Sequence, residues 1–415
     1  MAPIPRLRPY GGLALFSCGF RPFFLFGALY AGLAVLAWLP VFTGKLTLAS
    51  AFAPRDWHVH EMLYGYVPAV VTGFLLTAIP NWTGRLPLQG TPLIVLLLVW
   101  VAGRVAVTFS GVIGWLPAAA IDGGFLVLVA AAAAREIIAG GNWSNLKVVS
   151  LIGLLALGNV CFHLEAHFSG TADYGIRVGL AAVVMLISLV GGRIVPSFTR
   201  NWLARENPGR LPVPFGRFDA IVIVASALAL VLWIVIPQTF IAGVALLIAG
   251  ILQTARLARW AGDRTTRERL VLILHFGYAF IPLGFVLIGL ATLDLVPAAA
   301  GIHAWAGGAV GTMTLAVMTR ASLGHTGHAL VASRITQAIY LAVLLATLSR
   351  IGAAIEPEHS LPLLAAAAAL WAMAFLGFGV AYGPILVANA RLVSRFRSSP
   401  QRAAGSMRTS ESKGH

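Results

Sequence analysis

The sequence predicts an all-α, polytopic membrane protein of about twelve transmembrane helices with both termini cytoplasmic. Three observations predict it. Of the 415 residues, 59% are hydrophobic and 10% charged, with a mean hydropathy of +0.87, whereas soluble domains carry about 25% charged residues. The apolar residues gather into runs of roughly 20, the length that crosses a hydrocarbon core about 30 Å thick. The lysines and arginines between those runs fall overwhelmingly on alternate sides, as expected when cytoplasmic loops hold the basic excess.

Taken in order, the twelve runs are 20–42, 58–79, 91–110, 116–138, 146–167, 174–195, 217–236, 238–258, 270–292, 299–321, 336–355 and 362–388. Before the first lies a short, basic, Pro-rich stretch, Met1 to Tyr10, and no small-residue cleavage site follows the run, so it is expected to stay as a helix. On this topology the inner side receives Arg6, Arg8, Arg85, Arg135, Lys147, the clusters from Arg193 to Arg217 and from Arg256 to Arg269, Arg320, Arg334 and the tail. The outer side receives Lys45, Arg55, Arg177 and Arg350, while Arg21 and Arg104 lie at the edge of, or inside, spans. A miscount by one helix would scramble that asymmetry. The net charge of +15 is therefore an orientation signal, and no nucleic-acid partner follows from it. Residues 1–392 are expected to form a single twelve-helix domain and 393–415, rich in Ser and Arg, a disordered basic cytoplasmic tail. Cys18 and Cys161 fall near opposite faces, so no internal disulfide is expected. Pro68, Pro282 and Pro384 lie inside spans, where each deletes a backbone hydrogen bond and favours a kink.

Chemistry concentrates in Trp57-His58-Val59-His60-Glu61-Met62, which sets two imidazoles, a carboxylate and a thioether at the mouth of an apolar run. Polar groups near the membrane interior cost about 2.5–3.5 kcal/mol on insertion scales, so a chain that keeps them uses them. Several histidines together point to a metal. The topology puts His58, His60, His163, His167 and His303 at the outer level, and His275, His325 and His328 at the inner one. His163 and His167 are four apart, so both rings share a helix face and could chelate one ion, with Asn159 a turn below as support. His58 and His60, two apart, point about 200° from each other in a regular helix and would serve different centres unless the turn is irregular. Glu61 and Glu165 could relay protons, orient imidazoles or simply face water, and Met62 could bind copper(I) or merely pack. Arg104 and Asp122 lie at similar distances from the turn joining spans three and four, so they should meet, as a neutralising ion pair or as an arginine for a haem propionate. A segment from His60 to Gly84 and another from His303 to Gly327 share His, Gly, Val, Thr and Gly at one constant offset, which would make spans two and ten equivalent. The adjacent His-His pair of haem-copper oxidases and the loop pattern of twelve-span facilitators are both absent.

Five segments matched in order carry a resemblance. Gly19-Phe20-Arg21-Pro22-Phe23-Phe24, Trp57 to Met62, Asn81-Trp82-Thr83-Gly84, Pro196-Ser197-Phe198-Thr199-Arg200-Asn201 and Met318 to Gly327 resemble the NnrS family, from about Gly19 to Ala388. That family comprises multi-pass proteins of the bacterial inner membrane, associated with haem, copper and the response to nitric oxide. The resemblance implies haem, of b type, copper, nitric oxide as the small-molecule partner, and the lipid bilayer as the setting. Where the family carries a basic residue after His-Thr-Gly, this chain has His328, which weighs against a ligand role there. The expectation is then an outer metal site drawn from His58, His60, His163, His303 and His167. A haem site is expected on the inner side from His275 and His325, with Arg104 available to a propionate. No Cys-X-X-Cys-His motif or ferredoxin-like cysteine run supplies electrons within the chain, so turnover of nitric oxide would need an external electron donor. The rival reading is a multi-span transporter, or a metal- or haem-handling factor, whose histidines pass a ligand along.

Overall fold

The computed structural model of the chain describes residues 10–388, so Arg6, Arg8 and the tail 393–415 lie outside the described residues. The helices, in order, are α1 (Phe20–Phe42), α2 (Pro54–Thr83), α3 (Thr91–Thr108), α4 (Trp115–Ala139), α5 (Trp143–Phe168), α6 (Asp173–Glu206), α7 (Arg217–Val235), α8 (Phe240–Ala258), α9 (Arg269–Ala291), α10 (298–325), α11 (Arg334–Ile355) and α12 (Pro357–Val387). There is no strand among the described residues. Eleven of these, all but α10, are long and apolar enough to cross a membrane. The expected tenth span is helical throughout, but its threonines, glycines and His303 dilute its hydropathy. The chain is thus an all-helical, multi-pass membrane protein. Large apolar side chains such as Val231, Ile241, Leu361 and Val380 stay exposed on the outside of the bundle, where hydrocarbon is their solvent.

The longest departure from the expected boundaries is α6, which continues past 195 to Glu206. Val195, Thr199 and Leu203, four apart, keep that last stretch buried on one face while Arg193, Arg200 and Arg205 occupy the rest of it.

Helices neighbouring in sequence pack side by side, and α12 closes the ring against α1. Three helices, each four further along the chain, meet inside it. The central α6 touches both α2 and α10. The hydroxyls of Tyr66 on α2 and Thr314 on α10 lie 2.5 Å apart, and Tyr64 of α2 donates to the Gly175 carbonyl of α6 at 2.6 Å. Among the described residues only these three spans contain π-helical stretches, at Glu61–Tyr66, Ile187–Gly191 and Ala304–Gly311. The first and third stretches open immediately after His60 and His303, the pair related by the offset seen in the sequence. Gly65, Gly191 and Gly308 each stand fifth in their stretch. A π turn widens the helix and re-aims its side chains, and such turns concentrate at functional sites. The first ends at Tyr66, and Pro68, which lacks a backbone donor, follows at the second residue of the resumed α-helix.

One buried polar set lies away from the histidines. Arg256 of α8 bonds Asp219 of α7 at 3.1 Å, Tyr278 of α9 at 2.9 Å and the Ser188 carbonyl of α6 at 3.0 Å. Gln253 completes it through Ser188 and Ser226, both at 2.9 Å. This set ties the second π stretch to three outer helices.

Candidate metal centre and a neighbouring cavity

The histidines of Trp57 to Met62 diverge. His60 is the last residue before the π stretch and Glu61 the first within it. At that junction both adjacent side chains face the interior, with His60 Nδ1 3.1 Å from Glu61 Oε1. Opposite them, α4 brings Asp122 and α5 brings Asn159 and His163, a turn apart on one helix face. The Asp122 Oδ2 atom is 3.2 Å from His60 Nε2 and 3.1 Å from His163 Nε2. One ligand atom from each of His60, Asp122 and His163 lies within 4.8 Å of the others, and all three residues are buried. Two imidazoles and a carboxylate from three helices form a three-ligand set of the kind that holds a transition-metal ion.

The surroundings fix this set. The Asn159 amide donates to Asp122 Oδ2 at 2.7 Å and turns its oxygen to His60 Nε2 at 3.0 Å. Arg104 of α3 lies between the carboxylates, donating to Glu61 Oε1 at 2.7 Å and, through its other nitrogen, to Asp122 Oδ1. The Tyr30 hydroxyl of α1 donates to Glu61 Oε2. Rings of Phe52 and Phe162 close over the histidines at 5.1–5.2 Å. Two carboxylates face one guanidinium here, so with both imidazoles neutral the buried set carries one negative charge more than positive, which a bound cation or a proton on His60, in contact with both carboxylates, balances. An unpaired charge in such a setting is strongly unfavourable.

His58 takes the other side of α2. Its ring stacks on Trp38 at 4.1 Å, and it lines a cavity between α1, α2, α6, α10, α11 and α12 together with His303 and Arg350. The cavity holds about 960 Å³ of atom-free space, counting its open side, and its remaining lining is largely aliphatic and aromatic, including Met62 and Trp371. The Nδ1 atom of His58 is buried without a hydrogen-bond partner.

Of the residues expected to share one outer centre, the fold gathers His60 and His163 at the carboxylate and His58 and His303 at the cavity. His167 joins neither, since it stacks on Trp115 at 4.2 Å on the exposed side of α5. Glu165 caps α6 by accepting from the Tyr174 and Gly175 amides at 3.0 and 2.6 Å. His275 and His325 have separate surroundings: His275 Nε2 lies 2.8 Å from Thr199 Oγ1, and His325 packs on Phe20 at 5.5 Å. His328 bonds Thr326 at 2.7 Å. Arg104 and Asp122 meet as expected. What sequence reasoning missed is the second oxygen of Asp122, which faces the histidines; a lone carboxylate midway along an apolar run was the signal for it. Arg350, read only as an outer-side charge, had no such signal.

Comparison with known proteins agrees with the motifs. The family model described as NnrS protein matches residues 14–389, nearly all of the described chain. No curated protein matches it.

Proposed function

This chain belongs to the NnrS family, and from that premise we propose that it is a haem- and copper-binding protein of the bacterial inner membrane that binds nitric oxide or protects against nitrosative stress. The observation that carries the proposal is the convergence of His60, Asp122 and His163 from three helices, with Arg104 and Glu61 behind them. Copper suits the site: imidazoles are good ligands for it, and three protein groups leave a position for a small molecule. When bound, the ion supplies an open coordination position and one-electron redox chemistry.

The protein's own groups do the rest. Glu61 orients the His60 ring through Nδ1, the outer support that commonly holds a metal-bound imidazole in place and leaves Nε2 for the ion, while Asn159 positions the Asp122 carboxylate. Arg104 offsets the charge of the two carboxylates. Phe52 and Phe162 exclude water while leaving an apolar approach. Nitric oxide is small and apolar and partitions into bilayers, so a buried intramembrane centre would meet it. Turnover would draw on an external electron donor, which sets binding or protection ahead of catalysis.

The test is metal and haem content of the purified protein, followed by anaerobic titration with nitric oxide monitored by optical and spin-resonance spectra. Bound copper and haem with spectra that change on adding the gas are expected. A purified protein with neither copper nor a Soret band would sink the proposal, and freely exchangeable metal with flux in proteoliposomes would favour the transporter instead.

A further inference from the structure

We infer that the cavity between α1, α2, α6, α10, α11 and α12 is a haem site in which His58 and His303 supply both axial nitrogens and Arg350 the counter-charge for the propionates, leaving the iron closed to gases. The inference rests on the reading that this chain takes up haem, and it separates that group from the His60 centre.

The argument is one of unmet needs. Most polar groups lining the cavity are already satisfied. Thr347 donates to the Val343 carbonyl at 2.9 Å, the Trp38 indole to the Pro54 carbonyl at 3.0 Å, and Tyr66 is paired with Thr314. His58 Nδ1 is not satisfied, and Arg350 has no carboxylate partner among the described residues. An arginine in an apolar membrane cavity calls for an anion. Two imidazoles lining one cavity from different helices call for a metal. The cavity offers about 960 Å³ of atom-free space, counting its open side. A bare ion would use the imidazoles but neither the volume nor Arg350. A phospholipid would use the volume and Arg350 but leave the imidazoles idle. A flat apolar macrocycle with a central metal and acidic side chains uses all of them. Arg104, the other candidate for a propionate, is already engaged by Glu61 and Asp122. With both axial positions taken by histidine, the iron has no open site.

The experiment uses the full chain purified from haem-replete cells, with optical and spin-resonance spectra of the oxidised form and carbon monoxide added to the reduced form. The expected wild type is low-spin, with no shift on adding carbon monoxide. His58→Ala and His303→Ala should each become high-spin and bind carbon monoxide, and free imidazole should restore the low-spin spectrum, which a misfolded variant would not show. Arg350→Leu should lower haem affinity by about tenfold, the loss of one charge-assisted contact, whereas His275→Ala and His325→Ala should change nothing. Low-spin spectra unchanged in both His58→Ala and His303→Ala would overturn the inference yet leave haem binding itself standing. So would a phospholipid, detected by native mass spectrometry, that is lost in Arg350→Leu while haem stays. Absence of any Soret band would instead remove the broader reading.

Discussion

His58 and His60 leave one turn of α2 in opposite directions, His58 onto the Trp38 ring and His60 onto the Asp122 carboxylate. The two sites are therefore neighbours with Val59 between them, yet they share no ligand. Metal affinity should track only the second set. Replacing a ligand, as in His60→Ala, His163→Ala or Asp122→Asn, should weaken copper binding by more than about 100-fold, while Asn159→Ala, which removes orienting contacts, should cost about 10–100-fold. Competition with a chelator of known affinity measures both, and His167→Ala serves as the silent control.

Arg104 separates two buried carboxylates, so it should matter for stability before it matters for metal. Arg104→Met leaves Glu61 and Asp122 with only the His60 ring to offset two buried charges, a loss of about 3–5 kcal/mol by analogy with broken buried pairs. Thermal unfolding in detergent should show a lowered midpoint. Adding Glu61→Gln should recover part of the loss, because one of the two buried charges is then gone. A double variant no more stable than the single would refute this account.

How much of this could be read beforehand follows from what each feature depends on. Spans depend on composition over some 20 residues, so their number and rough limits were legible, and α10 fell short only because its histidine, glycines and threonines serve the interior. His58 and His60 were legible as a divergent pair because a helix fixes the angle between residues two apart. The partners were not. Asp122 and His163 reach His60 from other helices, and no spacing in the sequence records which helices become neighbours. His163 and His167 show the limit of periodicity: α5 does put both near one face, but Trp115 captures the outer ring. The π stretches were illegible for the same reason, being set by the meeting of α2, α6 and α10 rather than by local preference.

Gly65 and Gly308 occupy the same step of two π stretches but face different neighbours. A methyl group on Gly65 would press on the Arg104 guanidinium and Glu61 carboxylate, whereas one on Gly308 would enter the Phe280 ring. Gly65→Ala should therefore reduce copper content with the bundle intact. Gly308→Ala should instead lower stability by about 1–3 kcal/mol, the usual cost of overpacking, and spare the copper. Metal analysis and thermal unfolding of the same samples distinguish the two.

Orientation has its own test. If the basic loops are cytoplasmic, alkaline phosphatase fused after Asn207, in the loop between α6 and α7, should be inactive, and the same enzyme fused after Glu358, at the start of α12, should be active. Reversed activities would invert the arrangement and put the histidine sites at the inner face.

Arg256 offers the counter-case of a buried charge with a structural task. It is fully buried and bonds Asp219, Ser188 and Tyr278, and its guanidinium lies over the Trp260 ring at 5.3 Å. Each neighbour is itself satisfied, and no group is left aimed at a ligand. Arg256→Met should therefore cost stability, about 3–5 kcal/mol, because Asp219 is left buried with only Arg259, 3.8 Å away, to offset it. Copper and haem content should stay unchanged once the protein is folded. The contrast with Arg104 is informative: both arginines hold membrane helices together, but only Arg104 borders a set of ligands with charge to spare. A fall in copper content with Arg256→Met at unchanged stability would mean that the second π stretch is coupled to the metal centre through α6.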